Sequence, residues 1–247
     1  MFREGRVNAA AFAVAAFVAG WFCVSACPSR AGDDDESHLI LFSGRDVWRN
    51  GAFMHGGLLM APGSIDRDGL LLKVLMSGGL YRYNSVNLGG QQVIGAETTI
   101  QVMPGFQVQR GRLTAKFFMG FDAEEHRLWP DDPSNSLRGH MWGMRVATDL
   151  WYEPTDKTMA TFDASLSTIA TNYYARAAFG HRVIDDQFYF GPEISYFASD
   201  GYRHFRLGGH LTGLKTDISQ WSAAGGWARD SDGHSSPYVR LGLMQKL

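Results

Sequence analysis

The sequence of 247 residues predicts an all-β fold: an antiparallel transmembrane β-barrel of about twelve strands behind a cleaved leader. Three observations carry this. Beyond residue 31 the residues alternate with period two over long stretches, and no segment holds a helical period. Several apolar faces end in aromatics, Trp142 with Tyr152 and Phe188 with Tyr196, as interfacial girdles require. The opposite faces combine Gly with single Arg, Asp or Glu residues, which suits a crowded lumen better than open solvent. No later segment reaches the ~18 apolar residues of a membrane helix. A closed barrel is then the spanning structure that leaves no backbone group unpaired in lipid.

The alternation divides the chain into strands near 39–48, 51–60, 69–80, 92–102, 111–122, 140–152, 158–168, 173–181, 187–198, 203–214, 218–229 and 237–246. In Arg112–Asp122, Leu113, Phe117, Met119 and Phe121 form the lipid face, while Arg112, Lys116 and Asp122 point inward. In His140–Tyr152, Trp142, Met144 and Val146 point out, and Arg145, Ala147 and Asp149 point in. Turns are expected at Met103-Pro104-Gly105 and Glu153-Pro154-Thr155-Asp156, because Pro and Gly set turn dihedrals. The longest connections are expected at Ala123–Gly139 and Arg82–Gln91, both after odd strands and so on the outward side.

Composition agrees. Charged residues make up 19% against the ~25% usual for soluble domains, and the chain holds 29 Gly. The formal net charge is −2, which excludes a basic nucleic-acid footprint. Met1–Arg6 carries two arginines, and an apolar run follows to Ala26. Ser29-Arg30-Ala31 then reads as a signal cleavage site, dividing the chain into a signal peptide, 1–31, and a barrel, 32–247. Val24-Ser25-Ala26-Cys27 offers a lipoprotein reading with Cys27 acylated. Either route leads out of the cytoplasm, to the outer membrane of a Gram-negative cell. Both cysteines, Cys23 and Cys27, lie in this leader, so the barrel carries no disulfide.

Catalytic and metal chemistry find little support in the spacing. His126 and Asp131-Asp132 share a stretch expected to be a solvated loop, and they match no closed metal motif. His234 and Ser236 have a His-x-Ser spacing but sit in a turn-like segment. No enzyme, metal or cofactor is therefore expected. The inward charges are more informative. Lys73, Arg112, Lys116, Arg145, Arg176, Arg206 and Arg240 face Glu97, Asp122, Asp149, Asp163 and Glu193. Such mixed charges pair across a lumen and predict a narrow or plugged barrel. Arg112, Lys116, Arg145, Asp149, Asp163, Arg176, Glu193, Arg206 and His210 are the candidate lumen-facing binding residues, with Glu193 expected to pair with Arg176 or Arg206. Tyr81, Tyr174 and Tyr189 are inward aromatics able to stack on sugar faces.

Phe42-Ser43-Gly44-Arg45-Asp46-Val47-Trp48-Arg49-Asn50-Gly51, Pro130-Asp131-Asp132-Pro133-Ser134-Asn135 with Leu137-Arg138-Gly139, Leu150-Trp151-Tyr152-Glu153-Pro154, Tyr174-Ala175-Arg176-Ala177-Ala178, Gly191-Pro192-Glu193, and Tyr202-Arg203 with Arg206-Leu207-Gly208 and His210-Leu211-Thr212-Gly213 follow one another along the chain. Together these segments resemble the cellulose biosynthesis protein BcsS family of alphaproteobacteria. The resemblance runs in order over roughly 40–247 and places Arg176, Glu193, Arg206 and His210 in recurrent motifs. It implies an outer-membrane barrel accessory to bacterial cellulose production, with no catalytic residue to carry over. The implied partners are the lipid bilayer, the glucan chain and proteins of the cellulose synthase complex. Export or surface assembly of the glucan is the leading expectation, and a scaffold that recruits envelope partners is the alternative.

Overall fold

The computed structural model describes residues 37–216 and 218–247; the expected signal peptide, 1–31, and Cys27 lie outside the described residues. Twelve antiparallel strands follow one another: β1 (Leu39–Trp48), β2 (Gly51–Met60), β3 (Gly69–Ser85), β4 (Gln91–Arg110), β5 (Leu113–Trp129), β6 (Gly139–Thr155), β7 (Thr158–Ser167), β8 (Tyr173–Val183), β9 (Phe188–Ser199), β10 (Tyr202–Thr216), β11 (Ser219–Asp230) and β12 (Ser235–Lys246). Each strand pairs with its sequence neighbours, and β12 returns to β1 through Ile40–Lys246 to Trp48–Tyr238, closing the sheet. Closure removes the edge strands that lipid would leave unpaired.

The outer wall is apolar. Phe121 is 70% exposed and Trp142 81%, values that water would punish and a bilayer rewards. Tyr173, Tyr196 and Trp227 flank one end of this belt, with Tyr173 and Tyr196 stacked at 5.8 Å. Tyr152, Phe179 and Trp221 mark the other end.

Strands β3 to β6 are 17 to 20 residues long, well beyond the ~9–11 that cross a bilayer. The expected connections at 123–139 and 82–91 are therefore shorter, because β5 continues to Trp129 and β3 to Ser85. Met103-Pro104-Gly105 is not a turn. It lies within β4, whose ladder to β5 passes from Val102–Phe121 to Gly105–Phe118, a gap that suits a residue without an N–H. The chain reverses instead at Gly111, where φ is +58°. The expected reversal at Glu153–Asp156 begins two residues later, since β6 runs to Thr155 past an irregularity between Tyr152 and Thr155.

The inward glycines have a shared reason. Phe42 faces Gly57 across the ladder, Phe53 faces Gly79, Tyr81 faces Gly95 and Phe118 faces Gly105. In each pair a Cβ on the glycine would collide with the ring. The glycines are the floor on which lumen aromatics lie flat.

One end of the lumen, where both ends of the barrel sequence meet, is apolar. Ile40, Leu59, Leu71, Met103 and Phe118 converge there, and the β2–β3 loop folds inward to add Ala61 and Ile65. Gln107 Nε2 holds that loop by donating to the carbonyls of Ile65 (2.6 Å) and Arg67 (2.9 Å). Asp68–Arg110 and Asp66–Lys246 pairs, both at 2.5 Å, pin its rim.

Candidate functional site in the lumen

The middle of the lumen is crossed by ion pairs between strands that are not neighbours. Glu193 on β9, fully buried, accepts from Arg176 Nε at 2.7 Å and from the guanidinium of Arg240 on β12. Arg176 Nη1 also reaches Asp163 Oδ2 at 2.8 Å, so β7, β8, β9 and β12 are linked through two carboxylates and two guanidiniums. Arg206 on β10 takes both oxygens of Asp46 on β1, at 2.8 and 2.6 Å, and lies against the rings of Trp48 and Tyr238. Both hydrogen bonds come from the one nitrogen Nη1, so the pairing is a shared charged donor and not a two-nitrogen fork. Tyr238 joins the two networks, since its hydroxyl also donates to Glu193 at 3.4 Å.

The opposite wall has its own set. Lys73 Nζ reaches Asp149 Oδ2 at 3.0 Å and sits over the ring of Phe118. Lys116 stands opposite Asp149 in the β5–β6 register. Arg145 bridges Asp122 (2.7 Å) and Glu124 (3.3 Å), and Ser167 adds a hydroxyl to Asp122 at 2.6 Å. His210 is buried, with Nδ1 at 2.9 Å from Thr212 Oγ1 and Nε2 at 3.1 Å from the Phe179 carbonyl. Among the aromatics, Tyr81 meets His126 and Tyr189 donates to Glu153. Tyr174 stands opposite Phe197 in the β8–β9 register.

At the end carrying the 130–138 loop the character changes. A cavity of about 520 Å³ is lined by His126, Asp131, Asn135, Ser136 and Arg138 with their neighbours. The loop is held by its own polar groups. Tyr83 donates to Asp132 at 3.0 Å, Asn135 donates to the Tyr83 oxygen at 2.6 Å, and Arg138 forks onto Asp131. Hydrogen bonds from the Ser134 and Ser85 hydroxyls hold the Asp132 carboxyl below the usual carboxylate range.

Arg112 does not face the lumen. It occupies the β4–β5 turn, exposed, and pairs with Asp156 of the next turn at 2.6 Å. Arg206 pairs with Asp46 rather than Glu193, and Arg240 takes the place beside Glu193. His126 is not in a solvated loop; it is buried on β5. His234 approaches Asp230 at 3.6 Å, and Ser236 of β12 stands across from Ala228 of β11. Asp46 and Glu124 are further inward carboxylates that alternation alone does not single out. Glu124 and His126 continue the inward face of Asp122 at steps of two, a signal hidden where the strand's outward residues turn polar (Glu125, Arg127).

Solved structures with the same architecture are outer-membrane barrels. An outer-membrane channel from Pseudomonas putida F1 superposes with a TM-score of 0.59 at 11% identity, covering 89% of this chain and 99% of that one. The β domain of the Bordetella autotransporter BrkA gives 0.51 at 8% identity, covering 86% and 100%. These likenesses concern the fold. Among curated proteins no sequence relative matches. The family described as cellulose biosynthesis protein BcsS matches residues 40–247, nearly the whole described barrel, and to that family the chain belongs.

Proposed function

We propose that the barrel sits in the outer membrane of a Gram-negative cell as a non-catalytic accessory of cellulose biosynthesis, and that it assists assembly of the glucan at the cell surface. Family membership supplies the pathway. The observation that carries the finer reading is the joining of Arg240 to Glu193 across the lumen, with Arg206–Asp46 beside it. Side chains so paired, above an apolar end sealed by Ile65, favour a filled barrel over a conduit for a polymer. The 130–138 loop and its cavity are then the surface offered to glucan or to a synthase partner. A scaffold that recruits envelope proteins is the second reading, favoured by the dense hydrogen bonding that holds this loop in one shape.

The test is a deletion strain with cellulose measured at the surface, in the periplasm and in the medium. Surface assembly predicts less cell-bound polymer and more in the medium. Periplasmic build-up would instead make this an export component, and an unchanged distribution would leave scaffolding.

A further inference from the structure

Glu97, Glu124 and His126 bring one ligand atom each within 4.8 Å of one another. The β-pairing explains why. Glu97 and His126 are direct partners across the β4–β5 ladder, and Glu124 lies two residues below His126 on the same inward face. Direct and diagonal neighbours on one face of an antiparallel pair are close enough to share an ion.

Charge arithmetic sets this cluster apart from the rest of the lumen. Arg176, Arg240, Asp163 and Glu193 balance, as do Arg206 and Asp46, while Lys73 and Lys116 share the single carboxylate of Asp149 and leave that group positive. Around Arg145, however, stand three carboxylates, Asp122, Glu124 and Glu97. Glu97 takes a neutral hydroxyl donor, Thr99 Oγ1 at 3.1 Å. Asp122 keeps one buried oxygen without a hydrogen-bond partner. A site with excess negative charge and little water is stabilised by a cation.

The surroundings also orient the histidine. Tyr81 hydrogen-bonds His126 Nδ1 at 3.0 Å, and Nε2 points at Glu124, 3.3 Å away. The Tyr81 ring holds this position only because Gly95 beneath it has no side chain. A second hydrogen bond that fixes the ring of a ligating imidazole is the usual outer partner of a metal site. His126 also borders the 520 Å³ cavity at the loop end, which gives ion and water a route in.

We infer that Glu97, Glu124 and His126 bind one divalent transition cation, of the zinc or manganese class, that ties β4 to β5 at the mouth of the barrel. Two carboxylates and one imidazole suit these borderline ions better than Ca²⁺ or Mg²⁺, which prefer oxygen alone. The inference does not depend on a role in cellulose production.

The experiment uses the full barrel refolded in detergent, without a histidine tag and stripped with EDTA. Zn²⁺ and Mn²⁺ are titrated by calorimetry, and the cobalt-loaded protein is read by its visible absorption. One ion per chain is expected, with cobalt bands of mixed nitrogen and oxygen ligation. Glu97→Gln and His126→Gln are expected to weaken binding by more than about tenfold, and Tyr81→Phe by ~10-fold or more through the lost orientation. Absence of stoichiometric binding to the wild-type protein up to millimolar metal overturns the inference. Binding unchanged in both ligand variants, shown to be folded by their resistance to unfolding in unheated SDS, overturns it equally.

Discussion

Arg240 on β12 and Glu193 on β9 meet side chain to side chain although two strands separate theirs in the wall. The contact therefore reports the curvature of the wall and not the local ladder. Glu193 is fully buried and also holds Arg176. Glu193→Gln keeps the shape and removes the charge. Arg176 retains Asp163, but Arg240 loses its carboxylate. Breaking one partner of a buried pair costs about 3–5 kcal/mol, and urea unfolding from lipid vesicles would read it. Adding Arg240→Gln should recover part of that loss. A neutral Glu193→Gln would remove the pairing as a source of stability.

The wall assignment is tested by arginine. Phe117 faces outward at 53% exposure, so Phe117→Arg should cost ~2–4 kcal/mol and reduce insertion into vesicles. Ala147 faces inward, opposite Phe118, and packs against the apolar end of the lumen. Ala147→Arg should cost about 1–3 kcal/mol through overpacking while insertion proceeds. Equal loss of insertion in both variants would count against the assignment of faces.

How much of this was legible in sequence depends on where the bilayer stops. Within the membrane every outward residue must be apolar, so Leu113, Phe117, Met119 and Phe121 show β5 plainly. Above it the constraint lifts; Ala123, Glu125 and Arg127 face out, and the strand continues unseen to Trp129. His126 for that reason carries the sequence signature of a loop although it lies on β5. Pro104-Gly105 has turn composition, yet Gly105 is there to receive the Phe118 ring from the neighbouring strand. The inward direction of Arg206 follows from alternation, but its choice of Asp46 does not. That partner sits 160 positions away and depends on how the barrel closes.

One side chain, together with the rim ion pairs, holds the apolar end in place. Gln107 is fully buried, and both protons of its amide nitrogen go to carbonyls of the β2–β3 loop. Gln107→Ala removes both hydrogen bonds and leaves two carbonyls to find water, at about 1–3 kcal/mol for the loop. Trypsin should then cut after Arg67 at least tenfold faster than in wild type, with the barrel itself intact. Single-channel recording gives a second readout, silent for wild type and showing current steps for Gln107→Ala with Ile65→Asp. Equal cleavage rates would mean that Ile65 and the Asp68–Arg110 and Asp66–Lys246 pairs hold the loop unaided.

Acid should loosen the 130–138 loop in a predictable direction. The Asp132 carboxyl titrates lower in the folded loop than in an unfolded chain, chiefly because the Ser134 and Ser85 hydroxyls donate to its charged form. A depressed folded pKa means that the loop gains stability from ionised Asp132 above the unfolded carboxylate value. That gain is lost as pH falls through the lower, folded value. The Ser134 amide, 3.3 Å from Asp132 Oδ1, is a local reporter. Its hydrogen exchange, corrected for intrinsic rates, should stay slow at neutral pH and quicken only once the medium is more acidic than the ordinary carboxylate range. Asp132→Asn should be loosened already at neutral pH and show no such acid step. A wild-type amide whose protection is flat throughout, or an Asp132→Asn protein that keeps the step, would assign the loop's order to Asn135 and to the Asp131–Arg138 pair instead.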